Sequence, residues 1–177
     1  MIQKFLVVMM LIFGLQSMAQ AQDTEKVFTI YLVRHAEKEL SADNPKDPPL
    51  TQCGKQRAMS LEGFLADVDL DAVYSTYTIR TMTTAEPVAG SKGLKPQTYD
   101  GKSLHVFARF LLEKKEDALV VGHSNTTAAL AGHLIGKELE SIDESIYDRI
   151  YQVVITKDSA HLNLLHSAFV CTPQIMD

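Results

Sequence analysis

The sequence is poor in several features that define special classes of protein. Only 2 of its 177 residues are cysteines, which are too few for a disulfide-rich scaffold. It has 9 glycines and 6 prolines, and 22% of its residues are charged, so a collagen-like chain, a coiled coil and a disordered chain are all excluded. Internal repeats, low-complexity segments and a linker between two domains are also missing. The length therefore predicts one domain that buries its own core.

Positively charged residues are fewer than negatively charged ones. The chain has 17 lysines and arginines against 22 aspartates and glutamates, a formal net charge of −5. This balance argues against a nucleic-acid binder that works through a broad cationic field, and we expect no nucleic-acid partner. A small buried basic pocket is still compatible with it.

The hydrophobic run at the N-terminus is short. Residues 5–13 are nine consecutive apolar residues, and residues 17–21 end in small side chains at alternate positions. This is the layout of a secretory signal peptide cleaved after Ala21. The alternative is a single-pass anchor, but a membrane span needs about 20 residues. We expect a signal peptide at residues 1–21, a mature chain in the periplasm or outside the cell, and no stable membrane insertion after cleavage.

Export would place both cysteines where disulfides persist. Cys171 lies 118 positions after Cys53, so a bridge would close a long loop. It would stabilise the fold by several kcal/mol, on the order of 4. The sequence does not show whether the two residues are adjacent in space, so a bridge and two free thiols both remain open.

The hydrophobic pattern alternates between strands and helices along the mature chain. Strands are predicted at residues 27–33, 71–75, 94–99 and 118–121, followed by a hairpin at 150–156 and 161–166. Helices are predicted at residues 54–66, 76–89, 104–115 and 125–135. Pro87 should kink or end the second helix. This order predicts an α/β three-layer sandwich with a mainly parallel central sheet, helices on both faces and an antiparallel edge.

Three predicted strands end in groups suited to bind an anion. Arg34 and His35 follow the first strand, Arg80 lies in the first turn of the next helix, and His123 follows the fourth strand. Ligands of open parallel sheets bind outside the carboxyl ends of the strands, so these side chains should converge. Guanidinium groups and helix N-termini both bind phosphate. Each residue alone has a plainer interpretation as a surface group, an ion-pair partner or a helix cap, so the prediction depends on their coincidence.

The same segments resemble the histidine phosphatase superfamily, which has the phosphoglycerate-mutase-like fold. Residues 32–37 resemble its Arg-His element, and residues 50–58 resemble its Leu-Thr-x-x-Gly segment. Further along, residues 74–85 resemble its Arg-x-x-x-Thr-Ala element and residues 120–125 resemble its second-histidine element. The four elements stand in the family's order, whereas the C-terminal segment matches only in strand pattern. The resemblance implies a single histidine phosphatase-like domain over residues 22–177.

The resemblance implies a covalent mechanism. His35 would attack phosphorus and form a phosphohistidine that water then hydrolyses. Arg34 and Arg80 should lower the pKa of His35 and keep it neutral, because like charges disfavour the imidazolium. With His123 they would also stabilise the charge of the transferring phosphoryl group. These cations take the role of a metal, so no metal or other cofactor is expected; a metal site at His35, His123 and Glu37 is the alternative.

The proton donor for the leaving oxygen is harder to assign from the sequence. Asp100, between a short strand and a helix, is the predicted donor, and Glu37 competes for the role. A turn role for Asp100 and an ion pair of Glu37 with Lys38 are the structural alternatives. Further substrate contacts are predicted at Thr51, Ser124 and Asn125, although capping its helix would also explain Ser124.

These features predict an exported phosphatase that acts on phosphomonoesters or phosphohistidine. The family's mutases carry an insertion over the site, and the stretch between Arg80 and residue 118 leaves no room for it. We therefore expect an open cleft that admits a small molecule, a glycolipid head group or a phosphoprotein. A phosphate-binding relative without turnover is the first alternative, and a phosphomutase that needs a bisphosphate activator is the second.

Overall fold

A computed structural model describes residues 26–171, and the predicted signal peptide lies outside this range. Strands and helices alternate in the predicted order. The strands are β1 (Phe28–Arg34), β2 (Ala72–Thr76), β3 (Gln97–Tyr99), β4 (Ala118–Gly122), β5 (Arg149–Ile155) and β6 (Ala160–His166). The helices are α1 (Gln52–Phe64), α2 (Ile79–Ser91), α3 (Leu104–Lys114) and α4 (Ser124–Ile135). None of these helices has the length and apolar character needed to cross a bilayer.

The six strands form one sheet in the order β3-β2-β4-β1-β5-β6. Strands β3, β2, β4 and β1 are parallel, whereas β5 runs antiparallel to β1 and β6 antiparallel to β5. The two central strands are buried on both faces, which is why their sequences read as continuous apolar runs. The predicted mainly parallel sheet with an antiparallel edge is confirmed.

Helices cover both faces of this sheet. Leu32 of β1 belongs to the core on the side of α3 and α4, where it joins Phe107. Its neighbour Val33 belongs to the core on the side of α1 and α2, where it joins Val88. Successive residues of a strand point to opposite faces, so one strand supplies both cores. Burying one such side chain contributes roughly 1.5–3 kcal/mol.

The second helix differs from its prediction at both ends. Helix α2 begins at Ile79 rather than at residue 76, because Thr78 caps it by accepting a hydrogen bond from Thr81 N. It does not end at Pro87 but continues to Ser91. Proline removes one backbone hydrogen bond from the helix. The next two residues are at most 1% exposed, and their burial in the core offsets that loss.

The two cysteines form a disulfide, with their Cα atoms 5.7 Å apart. The bridge joins the C-terminal end of the described chain to the start of α1. Arg57 of α1 adds a hydrogen bond to the carbonyl oxygen of Phe169, at 3.3 Å. Of the two states left open by the sequence, the structure therefore contains the bridged one.

Two long connections reach the carboxyl edge of the parallel strands. Residues 35–51 join β1 to α1, and residues 136–148 join α4 to β5. The second connection passes the start of α4, where Ile142 N donates to Ser124 O at 2.9 Å. Long connections with little regular structure are uncommon and are often functional.

Candidate active site

Backbone hydrogen bonding joins the ends of β1 and β4. His35 N donates to the carbonyl oxygen of Gly122 at 2.9 Å. Because the two strands are parallel neighbours, this bond fixes the residues that follow them side by side. The ring centroids of His35 and His123 are consequently 5.4 Å apart.

A threonine connects the end of β1 to the first turn of α2. Thr84 Oγ1 accepts a hydrogen bond from Ala36 N at 3.0 Å and donates one to Arg80 O at 2.8 Å. Arg80 thereby lies next to the second histidine, with its Nη2 atom 3.5 Å from His123 Nδ1. The structure thus brings the ends of three separate strands together at one edge of the sheet.

The contacts of His35 determine which ring nitrogen is free to react. Its Nδ1 lies 2.8 Å from the carbonyl oxygen of Ala36. A carbonyl only accepts, so Nδ1 carries the hydrogen and Nε2 carries the lone pair. Burial, reinforced by the charges of Arg34, His123 and Arg80, lowers the pKa of His35 to about 3. The arginines act in the predicted direction, but burial is the larger cause.

His123 is neutral as well. Burial is again the main cause, and together with the nearby Arg80 and Arg34 charges it lowers the pKa of His123 to about 4. Since Arg80 can only donate, Nδ1 is the acceptor of the His123 ring. Its Nε2 then donates to Thr76 Oγ1 at 2.9 Å, and Thr76 in turn donates to Thr81 Oγ1 at 3.1 Å.

Arg34 is hydrogen-bonded to the connection before β5, residues 136–148. Its guanidinium Nη1 lies within 3.2 Å of three carbonyl oxygens, those of Asp143, Glu144 and Ile146. Its Nη2 donates to Glu144 Oε2 at 2.6 Å, and its Cζ lies 4.2 Å from the ring centroid of Tyr147. Arg34 is only 3% exposed as a result.

Glu144 itself contacts several cationic and polar groups of the site. Its second oxygen accepts from Ser124 Oγ, and Lys38 Nζ lies 3.6 Å from Oε2. The bond from Ser124, with the charges of Arg34 and Lys38, holds the pKa of Glu144 below its usual value. Its side chain is nevertheless 66% exposed. An ionised carboxylate therefore lies on two residues that the sequence assigned to phosphate.

Arg80 also has a carboxylate partner. Its Nη1 donates to Asp47 Oδ1 at 3.2 Å, and the same oxygen accepts from Ile79 N at 3.0 Å. Asp47 belongs to the connection after β1. Each of the two predicted phosphate-binding arginines is thus paired with an acidic residue from a long connection.

The two predicted proton donors have other partners. Asp100 accepts hydrogen bonds from Lys102 N and Ser103 Oγ, at 2.9 and 3.2 Å, as the turn interpretation expects. It also lines a cavity of about 600 Å³ together with His123 and Asn125. The Glu37 carboxylate accepts from Arg57 at 2.6 to 3.0 Å, rather than pairing with a lysine.

Thr51 has a structural contact with the segment that follows His35. It caps α1 by accepting from Gly54 N at 3.0 Å, and its own N donates to Glu37 O at 2.9 Å. A Cβ on Gly54 would lie 2.3 Å from that same Glu37 oxygen, so this close approach requires glycine. The Leu-Thr-x-x-Gly segment thus fixes the backbone just after His35, and substrate contact by Thr51 stays a prediction.

His35, the predicted nucleophile, is covered in the described conformation. His35 is 2% exposed, and its ring centroid lies 6.3 Å from that of Tyr147. The connection before β5 covers His35, whereas the cavity of about 600 Å³ lies beside it at His123, so the open cleft stays a prediction. Residues 26–171 contain no group of three or more histidine, cysteine or acidic side chains arranged to hold a metal ion.

Sequence reasoning missed four residues of the site: Asp47, Thr84, Glu144 and Tyr147. Three of them lie in the two long connections at the carboxyl edge of the sheet. The length and position of these connections were the available signal, because binding residues are often found on such loops. Thr84 belongs to the Thr-Ala element already noted, but its role as a link between backbones is visible only in three dimensions.

Comparison with known proteins agrees with this geometry. Residues 30–101 match the model of the histidine phosphatase superfamily (branch 1). The resemblance to that superfamily is therefore confirmed over a segment that holds Arg34, His35 and Arg80; His123 lies beyond it. No curated protein matches the chain.

Solved structures share the fold over most of the chain. The alpha-ribazole phosphatase from Shigella flexneri has a TM-score of 0.66 at 18% identity, covering 82% of this chain and 99% of its own. The protein histidine phosphatase SixA complexed with tungstate has a TM-score of 0.66 at 18% identity, covering 79% and 97%. A phosphoglycerate mutase from Bacillus anthracis str. Sterne has a TM-score of 0.55 at 15% identity, covering 80% and 94%. At these identities the likeness establishes the histidine phosphatase fold.

Proposed function

We propose that this protein is an exported, metal-independent phosphatase that hydrolyses phosphomonoesters or phosphohistidine through a covalent phosphohistidine on His35. The superfamily match and the phosphatases among the structural relatives support a phosphatase. The geometry of His35 gives the strongest support for the covalent mechanism. The hydrogen bond from Nδ1 to Ala36 O leaves Nε2 of a neutral His35 as a nucleophile beside Arg34 and Arg80.

In the proposed reaction, His35 Nε2 attacks phosphorus and the leaving oxygen departs. Arg34 and Arg80 stabilise the charge that spreads over the phosphoryl oxygens in the transition state. The neutral His123 lies beside Arg80 and would join them by turning its Nε2–H from Thr76 to the phosphoryl group. Ser124 and Asn125, at the start of α4, add donors where a helix N-terminus favours an anion. Water then attacks the phosphohistidine and releases inorganic phosphate. Protein cations supply all the charge stabilisation in this scheme, so it contains no metal.

The compartment and the substrate class belong to the proposal too. The bridge between Cys53 and Cys171 supports an oxidising location such as the periplasm or the outside of the cell. The cavity of about 600 Å³ beside His123 offers room for a leaving group. We propose a phosphate-bearing substrate that is a small molecule, a glycolipid head group or a phosphoprotein. N-terminal sequencing of the secreted protein should begin at Gln22.

The low exposure of His35, 2%, favours one alternative. A protein that binds phosphate ligands without turnover would tolerate a covered nucleophile. It should bind inorganic phosphate measurably and hydrolyse no ester. A phosphomutase would instead depend on a bisphosphate activator.

Hydrolysis of p-nitrophenyl phosphate tests the proposal directly. The mature protein should hydrolyse it equally well with and without a chelator. His35→Ala should lose activity by roughly a thousandfold or more, because the covalent route is closed. His105→Ala, at an exposed position of α3, is the matched control and should keep full activity. Phosphate binding without hydrolysis, or full activity in His35→Ala, would contradict the proposal.

A further inference from the structure

The Glu144 carboxylate lies on groups that the proposed reaction assigns to the phosphoryl group. Oε2 accepts from Arg34 Nη2 at 2.6 Å, Oε1 accepts from Ser124 Oγ, and Lys38 Nζ lies 3.6 Å away. A carboxylate and a phosphoryl group present their oxygens to a guanidinium in the same way. Glu144 and the substrate therefore compete for the same donors.

Glu144 is also free to leave these donors without losing its place in the fold. Its side chain is 66% exposed, whereas its backbone is held by the contacts of Arg34 Nη1 with three carbonyl oxygens.

Asp47 also lies on a predicted phosphate-binding arginine, but its side chain is 32% exposed and its Oδ1 accepts from Ile79 N as well, which anchors it at the start of α2. The two predicted proton donors are engaged elsewhere. Glu37 is paired with Arg57, and Asp100 is bonded within its own turn.

Displacement by substrate reverses the environment of Glu144. A dianionic phosphoryl group that takes over Arg34 and Ser124 removes the hydrogen bonds that stabilise the carboxylate. It also brings a like charge next to it. Both changes favour the protonated carboxyl group. The displaced side chain then lies beside the phosphoryl group as an acid.

We propose that Glu144 is the general acid and base of the reaction: the substrate phosphoryl group displaces it from Arg34 and Ser124, and it then delivers a proton to the leaving oxygen. This inference rests on the proposed function. It gives the acid role to a residue of the connection before β5, whereas the sequence pointed to Asp100 or Glu37.

The protons and bonds balance over the two steps. Glu144 is ionised in the free protein, so it takes up a proton from solvent when the phosphoryl group displaces it. First, the bond between His35 Nε2 and phosphorus then forms, the bond from phosphorus to the leaving oxygen breaks, and that proton goes to the leaving oxygen. Second, a water oxygen attacks phosphorus, the phosphorus–nitrogen bond breaks, and Glu144 takes a proton from the water. Inorganic phosphate leaves and Nε2 regains its lone pair. Glu144 then returns to Arg34 and Ser124 and releases its proton to solvent.

Leaving-group dependence in Glu144→Gln tests the proposal. For glycerol phosphate, whose alkoxide leaves poorly, kcat/KM should fall about 100-fold or more. For p-nitrophenyl phosphate, which needs little protonation, kcat/KM should change less than about tenfold, while kcat falls and a burst of p-nitrophenol appears as hydrolysis of the phosphohistidine slows. Inhibition by inorganic phosphate should become tighter, because a competing carboxylate is gone. Glu140→Gln, an exposed position of the same connection, is the matched control and should match wild type.

Equal losses of kcat/KM for both esters, or weaker inhibition by phosphate, would overturn the proposal, since Glu144 would then only position Arg34. Asp100→Asn in the same comparison separates the two candidates. A selective loss for glycerol phosphate in Asp100→Asn but not in Glu144→Gln would return the role to Asp100. A wild-type protein that hydrolyses neither ester and shows no burst would end the proposed function itself, whatever the variants do.

Discussion

The two sides of the site are held by different forces. Arg34, His35, Arg80 and His123 follow strand ends and are tied to other elements by hydrogen bonds, with His35 2% exposed. The acidic partners on the long connections, Asp47 and Glu144, are held by ion pairs, and their side chains are 32% and 66% exposed. Groups that must stabilise a transition state benefit from being fixed in advance. The arginines and histidines of the site are therefore preorganised, whereas the acidic residues are the ones expected to exchange partners with a substrate.

Replacing one member of each side should give the largest contrast. Arg80→Ala should lower kcat/KM for p-nitrophenyl phosphate about 100- to 1,000-fold, the usual effect of losing a donor to transition-state charge. Asp47→Asn should lower it about fivefold or less, because a partly exposed ion pair contributes up to about 1 kcal/mol. Steady-state kinetics of both variants and of wild type give the loss of kcat/KM in each. Losses of similar size would remove the distinction between the two sides.

The disulfide should affect stability rather than the site. Replacing both Cys53 and Cys171 by serine should lower the free energy of unfolding by on the order of 4 kcal/mol, because the bridge closes a long loop in the unfolded chain. Activity at 25 °C should stay close to wild type. Urea unfolding of the variant and of wild type gives the difference. An unchanged free energy of unfolding would show that the bridge does not constrain the chain in solution.

The buried histidines should resist protonation. The pKa of His35, lowered to about 3 from 6.5, leaves the ring neutral in the folded protein where the unfolded chain binds a proton. The pKa of His123 is lowered to about 4, so this ring also stays neutral in the folded protein. The free energy of unfolding should therefore fall as the pH falls from 6.5, toward about 4 for the His123 contribution and toward about 3 for that of His35, and both contributions should be constant above that window. Nitrogen-15 shifts that show either ring titrating near pH 6.5 would contradict this environment.

Thr51 should show the smallest effect. Thr51→Ala removes the cap of α1 and should cost about 1 kcal/mol of stability. If capping is its whole role, KM for p-nitrophenyl phosphate stays unchanged, and Thr78→Ala, which removes the cap of α2, gives a similar loss of stability. A severalfold rise in KM in Thr51→Ala alone would assign Thr51 to the substrate site, as the sequence predicted.

The sequence predicted the arginines and histidines of the site better than its acidic residues. Arg34 ends β1, His35 and His123 directly follow β1 and β4, and Arg80 lies in the first turn of the helix after β2. Local patterns and the geometry of a parallel sheet therefore point to one edge. Asp47 and Glu144 lie among several acidic residues of connections without periodic pattern. Which of these reaches an arginine depends on the path of the chain, and that path is set by contacts distant in sequence.

Long-range contacts explain the other differences as well. The burial of Val88 and Ala89 against the sheet keeps α2 intact through Pro87, which local propensity opposes. The adjacency of the two cysteines depends on how the C-terminal segment packs on α1, and spacing alone carries no information on it. The order of strands and helices along the chain was predictable because hydrophobic periodicity is a local property. The order of the strands within the sheet was not predicted, because it depends on long-range pairing.

Phosphorylation of His35 is the step on which both the proposed function and the role of Glu144 depend. Wild-type protein mixed with labelled p-nitrophenyl phosphate and quenched in alkali should carry label on the peptide that contains His35. That label should survive base and be lost in acid, as expected of a phosphohistidine, and His35→Ala should carry none. Turnover by wild type without a labelled His35 peptide, or label retained by His35→Ala, would contradict the mechanism.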